Sequence, residues 1–182
     1  VIESAEGASV KEVIVAMAEY NAGADRRLAE ILSAVDPAIL LEDQGSYYRS
    51  ILGTLEHIAG GTLNTLRRFA GYFPYPSLAG NPLMEGDLAA LKAGIHDKPA
   101  AVLDFLARVD AAFLSFAREL EDGQLHRRFV YKNYKGEELE REYWAMIVHI
   151  LNHATHHRGE ISALLDRRGV ANDFAGFTTY IK

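Results

Sequence analysis

Apolar residues recur at three- and four-residue intervals over four long stretches of the chain, the spacing of helices that each bury one face. In the first, Val10, Val13, Ile14, Met17, Ala24, Leu28, Ile31 and Leu32 form the stripe between about Val10 and Val35, and Asp36-Pro37 stops it. The second runs from about Tyr47 to Ala70, with Ile51, Leu55, Ile58, Thr62, Leu66 and Phe69 on one side, and ends at Gly71 and Pro74-Tyr75-Pro76. Asp97 reads as the N-cap and Pro99 as a first-turn residue of a third helix, which buries Val102, Phe105, Leu106, Val109, Phe113 and Phe116 and closes near Gly123. The fourth covers about Arg141 to Arg168 and stops at Gly169.

The segments between these stretches carry turn chemistry instead. Residues 71–96 hold Pro74, Pro76, Pro82, Gly80, Gly86 and Gly94, which predicts a long connection with a short helix near Asp87–Leu91. Phe129-Val130-Tyr131 and Glu138-Leu139-Glu140 flank Asn133-Tyr134-Lys135-Gly136, the pattern of a small hairpin or extended turn. The tail residues Phe174, Phe177, Tyr180 and Ile181 are apolar enough to pack on the body. The expectation is all-α: one domain over residues 1–182, a four-helix bundle with a long crossover between the second and third helices and a β-hairpin before the fourth.

Composition narrows the chemistry. The chain has 182 residues, enough for a single core without staples, and no cysteine. Disulfides, iron-sulfur clusters, thiolate zinc sites and a cysteine nucleophile are excluded, so any metal must be held by nitrogen and oxygen. The formal net charge is -6, and the arginine pairs 26–27, 67–68, 127–128 and 167–168 are set among acids. Such a balance argues against nucleic-acid binding, which draws much of its affinity from neutralised phosphates. No apolar run approaches the roughly 18 residues of a membrane span. The first ten residues hold Glu3 and Glu6 and lack a charged-then-apolar leader, so the expectation is a cytoplasmic protein without membrane contact.

Four of the seven histidines fall between residues 149 and 157, followed at once by Arg158-Gly159-Glu160. On a helical wheel of about 100° per residue, His157 lies closest to the apolar direction of the fourth helix and His153 next. His149 and His156 lie further round. Imidazoles at i and i+4 project from neighbouring turns of one face, so His153 and His157 are the chelating pair at the core's edge. A third ligand is offered by His57 on the second helix, alongside Gly53, Gly60, Gly61 and Asn64. Glycine is poor in a helix interior, and three around one histidine mark a face of close approach or a broken helix. Glu160 is the one carboxylate placed for a general base, and its plain alternative is a solvated side chain. His149 and His156 suit supporting or surface roles, and His96 and His126 lie in connections with no special task. The HAxxH spacing lacks the glutamate of a zincin, and no phosphate loop, dinucleotide fingerprint or nucleophile elbow is present.

These residues resemble the DinB family. The likeness is carried by Phe129-Val130-Tyr131…Gly136, Trp144, His149, His153, His157-Arg158-Gly159, Leu164-Leu165 and Gly169, with Tyr20-Asn21…Arg27-Leu28 and Leu52…His57 upstream. The resemblance implies a four-helix bundle with a long crossover, a homodimer, and a metal triad of one histidine from helix two and an HxxxH pair from helix four. Those positions are His57, His153 and His157, with zinc or nickel as the divalent ion. It further implies a small-molecule substrate, with activity as a transferase or isomerase that uses a low-molecular-weight thiol. There are two departures from the family pattern: Glu160 replaces the glutamine common after Arg-Gly, and Gly61, Leu63, Asn64 and Thr65 stand where an aromatic is common, which implies a wider or more polar pocket. Three imidazoles leave a divalent ion with open positions, so a metal-dependent thiol transferase or a hydrolase is the expected activity. The competing expectation is a non-catalytic metal- or ligand-binding protein of a stress response.

Overall fold

The computed structural model describes residues 7–133 and 135–181. Residues 1–6, part of the expected leaderless start, and Tyr134 of the expected hairpin turn lie outside the described residues. The described chain is mostly helical: α1 (Val10–Ser33), α2 (Pro37–Leu41), α3 (Ile51–Ala70), a 3-10 turn (Pro82–Met84), α4 (Leu88–Ile95), α5 (Pro99–Glu119), α6 (Asp122–Leu125), α7 (Tyr143–Arg167) and α8 (Phe177–Tyr180). One antiparallel hairpin, β1 (Arg128–Lys132) with β2 (Glu138–Glu142), pairs Arg128 with Glu142 and Lys132 with Glu138. Among the described residues no helix is long and apolar enough to cross a membrane.

The four periodic stretches correspond to α1, α3, α5 and α7, and local chemistry sets their ends. Ser9 opens α1 through a capping box: its Oγ accepts the Glu12 N–H at 3.2 Å, and Glu12 accepts the Ser9 N–H at 2.7 Å. Gly169, at φ 67°, closes α7. Its N–H reaches the Asp166 carbonyl and the Val170 N–H reaches that of Leu165, both at 3.0 Å, the paired bonds of a Schellman motif.

Several boundaries differ from the sequence expectation. The second helix begins at Ile51, not near Tyr47. Residues 46–50 instead form a turn with Arg49 at φ 67°, and Ser50 caps the Gly53 N–H at 3.0 Å. Asp43, Gly45 and Ser46 supply the turn-forming groups that compete with helix there. The first helix does end before Asp36-Pro37, as expected, but Pro37 also opens the unforeseen α2, with Asp36 accepting the Ala38 N–H at 2.9 Å. Proline fits a first turn because the N–H it lacks has no helical partner there. Asp97 is not the N-cap of α5; that position is Lys98, and Asp97 sits at φ 57° with its N–H held by Glu56. The third helix stops at Glu119, leaving Gly123 in α6, and Arg141 and Glu142 belong to β2. Val13 leaves the buried stripe and is 47% exposed.

The core runs between the four long helices. Ile14, Leu28, Leu55, Ile58, Val102, Val109, Ile147 and Ile161 are buried in it. Phe69 stacks on Phe116 at 5.4 Å and meets Phe129 and Tyr143 edge-on, closing the end beneath the hairpin. The crossover is pinned by Arg67, whose guanidinium donates to the carbonyls of Leu83, Glu85 and Gly86 at 2.6–2.9 Å. Phe174 is buried, and the Phe177 ring packs 5.1 Å from Tyr20, so the tail covers the middle of α1.

Helices α1 and α7 are keyed together by a polar cluster in this apolar setting. Arg158 and Asp25, both about 98% shielded by side chain, pair at 3.2 Å; Arg158 also donates to Asn21 and Thr155 and lies 4.9 Å over the Tyr20 ring. Asp25 Oδ1 is buried without a conventional donor and faces the carboxyl of half-buried Asp110. Burial, and then the Asp25 charge, hold Asp110 well above the usual carboxylate range, which favours a proton shared between the two carboxyls. Stability from a raised carboxyl is complete below its unfolded value and fades as pH rises through the folded one. Asp110→Asn, whose amide can donate to Asp25 at any pH, is expected to flatten the loss of melting temperature as pH rises above the ordinary carboxylate range. Parallel melting curves of the two proteins check this, and an unchanged slope would sink the shared proton.

Candidate metal centre

His57 sits midway along α3, and His153 and His157 sit one turn apart on the facing side of α7. Their Nε2 atoms converge, with 2.8 Å from His57 to His153 and 3.1 Å from His153 to His157. The three residues named from the sequence are therefore brought into one group whose ligand atoms lie within 4.8 Å of one another. His157 is buried, while His57 and His153 are half-buried.

The helix α3 is unbroken, and of its three glycines only Gly53 is required by a close contact. A Cβ at Gly61 would stand 3.7 Å from His153 Cε1, and one at Gly60 would meet the Lys92 stem of α4 at 3.3 Å. At Gly53 a Cβ would come within 2.3 Å of the Tyr48 carbonyl oxygen, so only glycine lets the preceding turn close onto the helix.

The arrangement fits a cation better than protons alone. His157 Nδ1 bonds Glu160 at 2.7 Å, which places a proton there and leaves its Nε2 as a lone pair. His153 has at most one hydrogen on Nε2 and faces two imidazole nitrogens with it. Burial first, then the neighbouring imidazoles, push the His57 and His153 pKa values down to about 4, so both rings are neutral and able to donate lone pairs near neutral pH. The donor set, nitrogen only at its centre, suits a divalent transition ion.

A depressed histidine pKa gives a signed pH dependence. The unfolded rings protonate from about 6.5 downwards, while the folded ones resist until about 4. Their contribution to stability is thus complete above the first value and lost as pH falls through the second. Metal-free protein is expected to melt at progressively lower temperature across that window. His153→Asn should show a shallower acid slope, and equal slopes would contradict the assignment.

Around the cluster, Glu160 bonds His157 Nδ1 at 2.7 Å and lies 3.2 Å from His156 Nε2, so it orients a prospective ligand instead of standing free. His149 and His156 are exposed and outside the convergent group. His96 was expected to have no special task, yet its Nδ1 bonds Glu56 at 2.9 Å and ties the crossover to α3 beside His57. Glu56, His96 and Asp97 also come within ligand distance of one another, but His96 and Asp97 are exposed and Glu56 is already engaged. Two features escaped the sequence reading. Tyr48 stacks on His57 at 3.9 Å and places its hydroxyl 2.8 Å from His57 Nε2. The Arg158–Asp25 pair lies directly behind His157. For Tyr48 the polar cluster of residues 43–46 was the available signal of a turn; for the buried pair there was none.

Comparison with known proteins gives a consistent picture. The family model described as "DinB family" matches residues 8–181. The chain is 25% identical to "Protein DinB" of Bacillus subtilis (strain 168) over 164 residues, which cover 90% of each protein. No solved structure matches the chain.

Proposed function

The chain belongs to the DinB family, and on that premise we propose that it is a metal-dependent enzyme acting on a small molecule, with His57, His153 and His157 holding a zinc or nickel ion. The convergence of three imidazole nitrogens from two facing helices carries this reading. In this reading α1, α3, α5 and α7 are a four-helix bundle, and the site lies where such bundles commonly build metal centres.

A divalent ion there would supply a Lewis acid that lowers the pKa of a thiol or a water near neutral pH. The protein's own residues would do the rest. Neutral His57 and His153 offer lone pairs, and Glu160 fixes the tautomer and rotation of His157. Lys92, whose charge reaches His57, is placed to draw an anionic group of the substrate towards the pocket. The resemblance favours a low-molecular-weight thiol as co-substrate, hence a thiol transferase or isomerase, with hydrolysis as the variant that uses water. We further propose a cytoplasmic homodimer without nucleic-acid or membrane contacts.

A second reading is a non-catalytic metal- or ligand-binding protein of a stress response. It is favoured by one observation: Glu160, the carboxylate nearest the site, is engaged by two imidazoles and not free as a base. Zinc- or nickel-loaded protein, assayed with small thiols against a panel of electrophiles, separates the two. The enzyme reading expects turnover that disappears with a chelator and returns with the metal; metal uptake without turnover of any pair would support the second.

A further inference from the structure

The turn that precedes α3 is built more firmly than a surface connection requires. Arg49 adopts φ 67°, a conformation that costs a non-glycine residue free energy unless its surroundings enforce it. They do: Arg49 N–H bonds the Ser46 carbonyl at 2.9 Å, its carbonyl receives the Gln44 N–H at 2.7 Å, and its guanidinium pairs with Asp43 at 2.9 Å. Gly53 then removes the side chain that would block the Tyr48 carbonyl. The outcome of this construction is one placement, the Tyr48 ring laid on His57 and edge-on to His157 at 5.4 Å.

We infer that Tyr48 supplies the fourth donor of the metal centre through its phenolic oxygen. Oη lies 2.8 Å from His57 Nε2, the same separation as His57 from His153. Ligands bound at about 2.0–2.1 Å in a tetrahedral site stand about 3.3 Å apart. A group that only hydrogen-bonds to a bound water would lie further out. Tyr48 Oη is thus close to ligand-to-ligand spacing from His57 Nε2. On loading, the O–H bond breaks, its electron pair goes to the ion, and the proton passes to buffer.

This inference rests on the three-histidine reading, and the test separates the two. Apo-protein is titrated with Cu(II), and bound copper per chain and the visible spectrum are recorded together. Among the described residues, Tyr48 is the phenol in contact with these imidazoles. The expected result is one copper per chain with a phenolate-to-copper charge-transfer band whose resonance Raman spectrum carries tyrosinate ring modes. Tyr48→Phe should still take up one copper but lose the band, and should bind zinc at least about tenfold more weakly, the scale seen when a supporting group at a metal site is removed. Gly53→Ala, which leaves all four donors in place but pushes the turn away, should weaken the band as well. One copper per chain without the band in unsubstituted protein would overturn the role of Tyr48 and leave the histidine site standing. No copper and no zinc uptake would overturn both.

Discussion

The double substitution His153→Ala/His157→Ala is expected to abolish zinc and nickel binding while leaving the helical content intact. It removes two of three convergent nitrogens, and the buried apolar contacts of α7 through Ile147, Ile150, Ile161 and Leu165 remain. Loss of even a supporting residue weakens metal sites about 10- to 100-fold, so losing two donors should exceed that range. A second readout is thermal. Unsubstituted protein should gain about 2.7 kcal/mol when free metal stands 100-fold above the dissociation constant. For a chain of this size that is about 5–10 °C. The variant should gain nothing. Retained metal-dependent stabilisation in the variant would show that ions bind elsewhere, for instance at the exposed His156 and Glu160.

Arg158→Met is expected to be the most damaging single substitution for stability. It leaves Asp25 buried with its main partner gone, and breaking one side of a buried ion pair costs about 3–5 kcal/mol. The melting temperature should fall by about 10 °C. The compensating double variant Arg158→Met/Asp25→Leu should recover much of the loss, because the penalty comes from an uncompensated charge and not from the absence of a salt bridge. If the double variant is as unstable as the single one, lost packing around Tyr20 and Asn21 is the dominant cause. The pair has a functional consequence too. Arg158 follows His157 directly, so anchoring its guanidinium to Asp25 and Asn21 of α1 fixes the rotation of α7 that aims His153 and His157.

The histidine centre was legible because its signals are local. An i, i+4 imidazole pair on the core's edge and a glycine-lined histidine on another helix can each be read from neighbours in sequence. The same holds for the Gly169 stop, where short-range chemistry decides the outcome. What the sequence concealed depends on long-range burial or on competition between local options. Arg158 and Asp25 look like ordinary surface charges, and their partnership spans 133 positions. Tyr47 and Tyr48 continue an apolar stripe, so helix periodicity captured them, yet the Asp43–Ser46 turn and the left-handed Arg49 won. Asp97 has the composition of an N-cap, but the Glu56 carboxylate takes its N–H and pulls it out of that role.

The central claim is that one divalent ion is held by three imidazoles from α3 and α7. X-ray absorption spectroscopy on protein loaded with a single equivalent of zinc tests it most directly. The expected spectrum has a nitrogen/oxygen shell at about 2.0–2.1 Å, with outer-shell scattering that counts three imidazoles and falls to one in His153→Ala/His157→Ala. An oxygen-only shell, or an imidazole count unchanged by the double substitution, would contradict it.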